Sequence, residues 1–348
     1  MNFYSSVTYM KDLQDTAARL KICDLRGSSF LITGASGLIG SYIVDVLMTA
    51  NTLYNADIQV YALGRSRQRL SKRFEGIQTN KLVYIEQDLQ TPLTFQCKAD
   101  YIIHAASNAY PKAFREDPVG TMMSNLLGTY QLLEYARKNS TKRMLFVSTG
   151  EVYGQYDGQT EAYSEEYCGY LNILQARSCY PSSKRAAETL CCSYLKQYGV
   201  DVVIARPCHT YGPNTTSNDN RANVQFIDNA CNGKDIVLKS AGDQMRSYCY
   251  ITDCTAGILT VLTNGASGEA YNIAYSEAQV SIAQFAGIVA EQTGRKVVFE
   301  IPDDEALSER TTISRQVLDS GKLEMLGWQG KFTVERGIAH ILKVVKSL

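Results

Sequence analysis

Residues 30–40 read Phe-Leu-Ile-Thr-Gly-Ala-Ser-Gly-Leu-Ile-Gly, and a helical pattern continues from Ser41 to Met48. An apolar strand that turns on spaced glycines into a helix leaves few folds open. Gly34 permits a tight turn, Gly37 lets the backbone approach a pyrophosphate, and Gly40 lets the helix pack closely on the strand. The helix N-terminus attracts the anion, so Ser36, Leu38 and Ile39 join the three glycines as candidate cofactor contacts.

Further apolar runs follow at 58–63, 82–85, 101–104, 143–148 and 200–205, with helical patterns in most of the gaps. That alternation is what a parallel sheet with crossover helices requires. The expected fold is α/β, a Rossmann-type doubly wound parallel sheet with a smaller C-terminal substrate-binding lobe. Residues 1–28 read as an N-terminal helical extension, with a short helix over 11–20. The dinucleotide-binding domain is placed at 29–209 plus about 248–264, and the lobe at 210–247 and 265–348. Asn, Asp, Thr and Gly crowd the stretch from Thr210 to Asn223, which suits a mobile substrate loop.

Composition excludes several alternatives. Lys plus Arg and Asp plus Glu number 35 each, so no broad field favours wrapping nucleic acid or lying on an anionic membrane. No segment reaches the length of an apolar membrane span, and the first twenty residues lack the continuous apolar core of a signal peptide. A cytoplasmic location is expected. The ten cysteines are scattered without CxxC spacing, so reduced, packed thiols are expected and no metal site.

At the end of the second strand, where a carboxylate would hold the ribose 2′-OH of NAD, stand Gly64, Arg65 and Ser66. A guanidinium in place of the acid tilts the cofactor toward NADP, with NAD the alternative. Asp88, followed by Leu89, ends the third strand and either accepts from the adenine amino group or caps a turn.

Tyr180 stands at the start of a helical stretch, Tyr-Pro-Ser-Ser-Lys-Arg-Ala-Ala-Glu, with Lys184 about one turn later on the same face. A lysine ammonium beside a phenol favours phenolate, which makes Tyr180 a candidate general base. The strand end Phe146-Val147-Ser148-Thr149-Gly150-Glu151 reaches the edge where open α/β sheets bind ligands. If the chain stays extended there, Thr149 and Glu151 project to one side. Taken singly, Thr149 also reads as a cap and Glu151 as a solvated loop residue.

The motifs TGASGLIG, the His104-Ala105-Ala106 strand end, Asn125 in SNLLGTYQLLEYA, STGEVYG, YPSSK, RPCHTYGP and the late Leu326-Gly327-Trp328 occur in one order. That order resembles the extended short-chain dehydrogenases of the NAD-dependent epimerase/dehydratase family across nearly the whole chain. The resemblance implies that Thr149, Tyr180 and Lys184 are the catalytic hydroxyl, base and lysine, and that Asn125 supports the lysine through backbone and water. It also implies that Ala105 lies at the cofactor and that Arg246 of MRSYCYITD holds a nucleotide diphosphate. The nearest branches are UDP-glucuronate decarboxylases and dTDP-glucose 4,6-dehydratases, and the chain departs from both. It has Gly150-Glu151 where dehydratases carry Asp-Glu, and Pro-Ser-Ser between Tyr180 and Lys184 where decarboxylases carry Asp-Glu-Gly.

The implied function is therefore a nucleotide-sugar-modifying enzyme that runs an internal redox cycle through a 4-keto sugar, with Glu151 assisting proton transfer. An NADPH-consuming 4-reductase and a non-catalytic dinucleotide-sensing protein are the alternatives; the sensor is disfavoured because Tyr180 and Lys184 are both kept. The resemblance further implies a homodimer in which the helices following Asn125 and Tyr180 pair across a two-fold axis.

Overall fold

The computed structural model describes residues 2–216, 219–301 and 313–348. The six apolar runs become parallel strands of one seven-stranded sheet. Its order is Ala270–Ile273, Val202–Pro207, Arg143–Val147, Tyr101–His104, Ser29–Thr33, Gln59–Gly64 and Leu82–Glu86. Phe30, Leu31 and Ile32 are fully buried, as a strand covered by helices on both faces demands. The order in which the chain adds strands reverses between the parallel neighbours Ser29–Thr33 and Tyr101–His104, so a crevice opens above their carboxyl ends. The glycine turn leaves the sheet at that point.

The seventh strand departs from the expected division, which put all of 265–348 in the lobe. Ala270–Ile273 pairs with Ile204–Pro207 in the main sheet. A polar residue at the centre of a four-residue run disguises it. Asn272 is fully buried because its side chain accepts from the Tyr153 hydroxyl at 2.6 Å and donates to the Tyr163 and Asp319 carbonyls. Conversely, Tyr248–Tyr250, which the expected division gave to the dinucleotide-binding domain, ends a strand of the lobe, Met245–Tyr250. It pairs with His209–Tyr211, Gln279–Ser281 and Arg315–Gln316 in a second, smaller sheet.

The N-terminal helix spans Val7–Ala17, capped by Ser6, rather than 11–20. It is built into the fold, not merely placed before it. Tyr4 and Tyr9 donate to the buried Asp45 carboxylate at 2.6 and 2.5 Å, and Arg73 pairs with the same group. Asp12 meets Tyr250 at 2.8 Å and His340 at 2.9 Å on the other side. The extension thus fastens the dinucleotide-binding layer to the C-terminal helix Val334–Lys346. Breaking a buried ion pair such as Asp45–Arg73 by removing one partner costs about 3–5 kcal/mol.

Candidate active site

The glycine turn forms an anion cradle. Gly34 has φ +65°, and a Cβ there would press on the Ala105 carbonyl at 2.7 Å, so only glycine suits the turn. A Cβ on Gly40 would collide with the Gly34 carbonyl, which enforces close helix packing. Gly37 faces open space apart from that same carbonyl at 3.2 Å, and it N-caps the helix Leu38–Tyr54 without any side-chain cap. The first-turn N–H groups of Leu38, Ile39 and Gly40 have no intrahelical acceptor and border the cleft. The backbone there fits the diphosphate of a dinucleotide.

That cleft encloses about 560 Å³ between the carboxyl edge of the main sheet and the small sheet. Tyr180 lies in the first turn of the helix Cys179–Tyr198, with its ring stacked on Phe114 at 4.7 Å. Burial first, then the Glu151 charge, push its phenol above the ordinary value, against the Thr149 hydroxyl, Arg221 and Arg177, which lower it. Lys184 is buried, and burial pulls its ammonium down to about 7. Its Nζ donates to the Val147 carbonyl at 2.8 Å and lies 6.0 Å from the centre of the Tyr180 ring. Asn125 and Lys184 share no direct side-chain hydrogen bond among the described residues. The Asn125 Nδ2 donates to Ser183 Oγ at 2.9 Å and its Oδ1 accepts from Ser107 at 2.8 Å, which ties the helix carrying Lys184 to the neighbouring helix Pro118–Asn139.

Thr149 and Glu151 share the cleft, though not through an extended chain. The strand stops at Val147, and Thr149 caps a 3-10 turn, Gly150–Tyr153, by accepting from the Glu151 N–H at 3.2 Å. Arg177 donates to both Glu151 carboxylate oxygens, at 3.1 and 3.3 Å, and its guanidinium lies 4.7 Å from the Phe114 ring centre. Arg177 went unrecognised in the sequence because it sits outside the Tyr-to-Lys spacing that marks the helix start.

Deeper in the cleft Arg246 is only 3% exposed, and its guanidinium donates to the Met245 and Ile313 carbonyls at 2.8 and 2.6 Å. Among the described residues it has no carboxylate partner within ion-pair distance. Around it, polar atoms of Ser148, His209, Asn223, Gln244 and Gln316 are buried without a hydrogen-bond partner among the described residues. His209 is neutral, since burial, then Arg246 and Arg221, bring it down to about 3. A pocket with a buried cation and unmatched donors and acceptors is complementary to a polar anion. Several of these residues come from distant lobe segments, which local sequence patterns cannot join.

The cleft therefore gathers Gly34, Gly37, Leu38, Ile39, Gly40 and Ala105 with Thr149, Glu151, Tyr180, Lys184 and Arg246. Ser36, Arg65, Asp88, Leu89 and Asn125 do not border it. Arg65 is exposed beyond the second strand, and Asp88 accepts from the Gln90 N–H at 2.9 Å in a turn. Leu89 spends its side chain on the core around Ile102 and Leu132. The 210–223 stretch, expected as a mobile substrate loop, includes residues 217–218 outside the described set. It is anchored by Asn214, whose Nδ2 donates to the Leu38 carbonyl at 2.8 Å and to Ser41 at 2.9 Å. Among the described residues no metal-binding cluster occurs, and no helix is long and apolar enough to cross a membrane.

A Rossmann-type sheet with this glycine cradle and a Thr-Tyr-Lys set at its carboxyl edge defines an extended short-chain dehydrogenase/reductase. The profile of the NAD dependent epimerase/dehydratase family matches residues 30–274, and the chain belongs to that family. It is 33% identical over 327 residues to UDP-glucuronic acid decarboxylase 6 of Arabidopsis thaliana, covering 90% of each chain. It is 32% identical over 313 residues to UDP-glucuronic acid decarboxylase 1 of Xenopus tropicalis, covering 88% of this chain and 70% of that protein. Among solved structures, dTDP-glucose 4,6-dehydratase of Streptomyces venezuelae with NAD and TYD bound superposes with a TM-score of 0.78 at 26% identity, over 91% of this chain and 97% of that one. The fold is also that of UDP-glucuronic acid 4-epimerase from Bacillus cereus, at TM-score 0.75 and 22% identity over 91% and 99% of the two chains.

Proposed function

We propose that this enzyme modifies a nucleotide-diphosphate sugar through a 4-keto intermediate, using a tightly held nicotinamide cofactor that is restored at the end of each cycle. The observation that carries the reading is the joining, in one cleft, of the glycine cradle, Thr149, Tyr180, Lys184 and the buried Arg246. Arg246 and the polar atoms around it bind the substrate diphosphate. Thr149 holds the sugar beside Tyr180, whose phenolate oxygen takes the O4 proton as the C4–H bond breaks. A bound oxidised nicotinamide supplies the hydride acceptor and a positive charge that favours the phenolate. Lys184 keeps the base in place and adds its own charge when protonated. The new carbonyl acidifies C5–H or labilises a C5 carboxylate, and Glu151 is placed to move the proton. Mass spectrometry of nucleotide sugars bound to, or converted by, the purified protein tests this, and retention and conversion of none would overturn it.

Position 150 favours decarboxylation or epimerisation over dehydration. A Cβ added at Gly150 would lie 3.1 Å from Leu318 Cδ1 and 3.5 Å from Gln316 Nε2. An acid at 150 would need that space to protonate a departing C6 hydroxyl, and the site offers Gln316 there instead.

The solved relatives hold NAD, whereas Arg65 in this chain suits a 2′-phosphate. Calorimetric titration of cofactor-free protein should give tighter binding of NADP than of NAD, with Arg65→Ala narrowing the gap. Tighter NAD binding by the wild type refutes the preference. Net consumption of added NADPH would instead mark a 4-reductase.

A homodimer accounts for the outward apolar stripe of the helix Pro118–Asn139. Val119, Met123 and Tyr130 are exposed on one face, and Tyr198 is exposed on the adjacent helix Cys179–Tyr198. Sedimentation at micromolar concentration should give a dimer that Met123→Asp combined with Tyr130→Asp dissociates; a monomeric wild type rules it out.

A further inference from the structure

We propose that Arg177 is a positioning residue for the proton-transfer site: it offsets the Glu151 charge beside Tyr180 and holds that carboxylate in place, so that base and acid-base partner can work in one cleft. The inference rests on the reading of Tyr180 as the base. Its geometry is specific. Arg177 is the middle residue of the short turn Ala176–Ser178 that leads directly into the Tyr180 helix, so its main chain is held next to the element that aims the phenol. Its guanidinium reaches back across the cleft mouth to both oxygens of Glu151, and it lies against the same Phe114 ring on which Tyr180 stacks. Both contacts come from Nη2; a methionine at 177 loses them, and a lysine loses the guanidinium that lies against the Phe114 ring.

An unbalanced carboxylate next to a buried phenol opposes its ionisation, and a cation paired to that carboxylate relieves the opposition. The charged groups around Tyr180 are few. Glu151 comes from the turn after the fifth strand, Lys184 from the same helix, Arg177 from the turn before it, and Arg221, itself paired with Asp219, from the segment ahead of the helix Ala222–Cys231. The helix Pro111–Glu116 presents Phe114, and Pro118–Asn139 presents Met122, both uncharged. Glu151 raises the Tyr180 pKa and Arg177 lowers it, so removing one or the other should move the phenol in opposite directions.

The test titrates Tyr180 in the full-length, cofactor-loaded protein by tyrosinate absorbance, taking the difference between each protein and the same protein carrying Tyr180→Phe. Arg177→Met should raise the midpoint by about half a unit to one unit, since the pair is partly exposed and screened, and should slow the hydride step on the acid limb about three- to tenfold. Glu151→Gln alone should lower the midpoint. In the double variant the midpoint should return close to wild type, and Arg177→Lys should fall between. A midpoint unmoved by Arg177→Met, or one that stays above wild type in the double variant, overturns the proposal. Should Arg177→Met fail to fold, a midpoint that Glu151→Gln raises or leaves unchanged does the same. Failure to turn over any nucleotide sugar, with the titration shifts present, would count against the proposed function and not against the Arg177–Glu151 arrangement.

Discussion

Replacing Tyr180 with Phe should cut turnover about 100-fold or more while leaving cofactor binding nearly intact. The change removes one oxygen and keeps the ring that stacks on Phe114 at 4.7 Å, so the helix start and the glycine cradle have no reason to move. Because burial and Glu151 hold the phenol above its ordinary value, the wild-type rate should climb as pH rises through the neutral range, and the residue left in Tyr180→Phe should lose that climb. Lys184→Met acts differently. It strands the buried Val147 carbonyl that Nζ now satisfies at 2.8 Å, and it removes a cation from beside the cofactor cleft, so both cofactor affinity and rate should fall. Steady-state kinetics with calorimetry separates the two variants. Activity in Tyr180→Phe above about a tenth of wild type is incompatible with a general base at this position.

The parts of this molecule written in contiguous residues were legible in its sequence. The glycine turn, six of the seven strands of the main sheet and the Tyr180–Lys184 spacing each depend on residues a few positions apart, where period and turn chemistry act. Ala270–Ile273 was not legible as a main-sheet strand, because its buried Asn272 is made tolerable by Tyr153, Tyr163 and Asp319, partners between 47 and 119 positions away. The same holds in the cleft. Thr149 and Glu151 were expected to face one side through an extended backbone, and they share the cleft through a 3-10 turn instead. Arg177 gains its meaning only when Glu151, 26 positions earlier, folds back against it. The N-terminal extension looked peripheral because nothing in its sequence shows that Tyr4, Tyr9 and Asp12 will find Asp45, Tyr250 and His340.

On the proposed reading Glu151 decides the reaction type, and Glu151→Gln should cost about 100-fold or more in turnover while leaving reduction of the bound cofactor largely intact. An enzyme that only oxidises and reduces C4 has no use for a second proton carrier two residues beyond Thr149. One that protonates C5 after losing a carboxylate, or exchanges C5–H, needs a group that can give up and recover a proton within reach of that carbon. The carboxylate here is only partly exposed, fixed by two contacts to Arg177, and borders the same cleft as Tyr180, a placement suited to the second kind of step. Glutamine preserves its size and one hydrogen bond to Arg177 and removes the proton-carrying function. Candidate UDP-, dTDP-, CDP- and GDP-sugars mixed with wild type and Glu151→Gln in deuterated water, followed by cofactor absorbance and product mass, give the answer. Deuterium at C5 in the wild-type product, with the variant stalled after the hydride step, is the expected result. Unchanged turnover in the variant together with no deuterium at C5 in the wild type would eliminate C5 epimerisation, dehydration and decarboxylation with C5 reprotonation at once, and would leave a 4-epimerase or a 4-reductase.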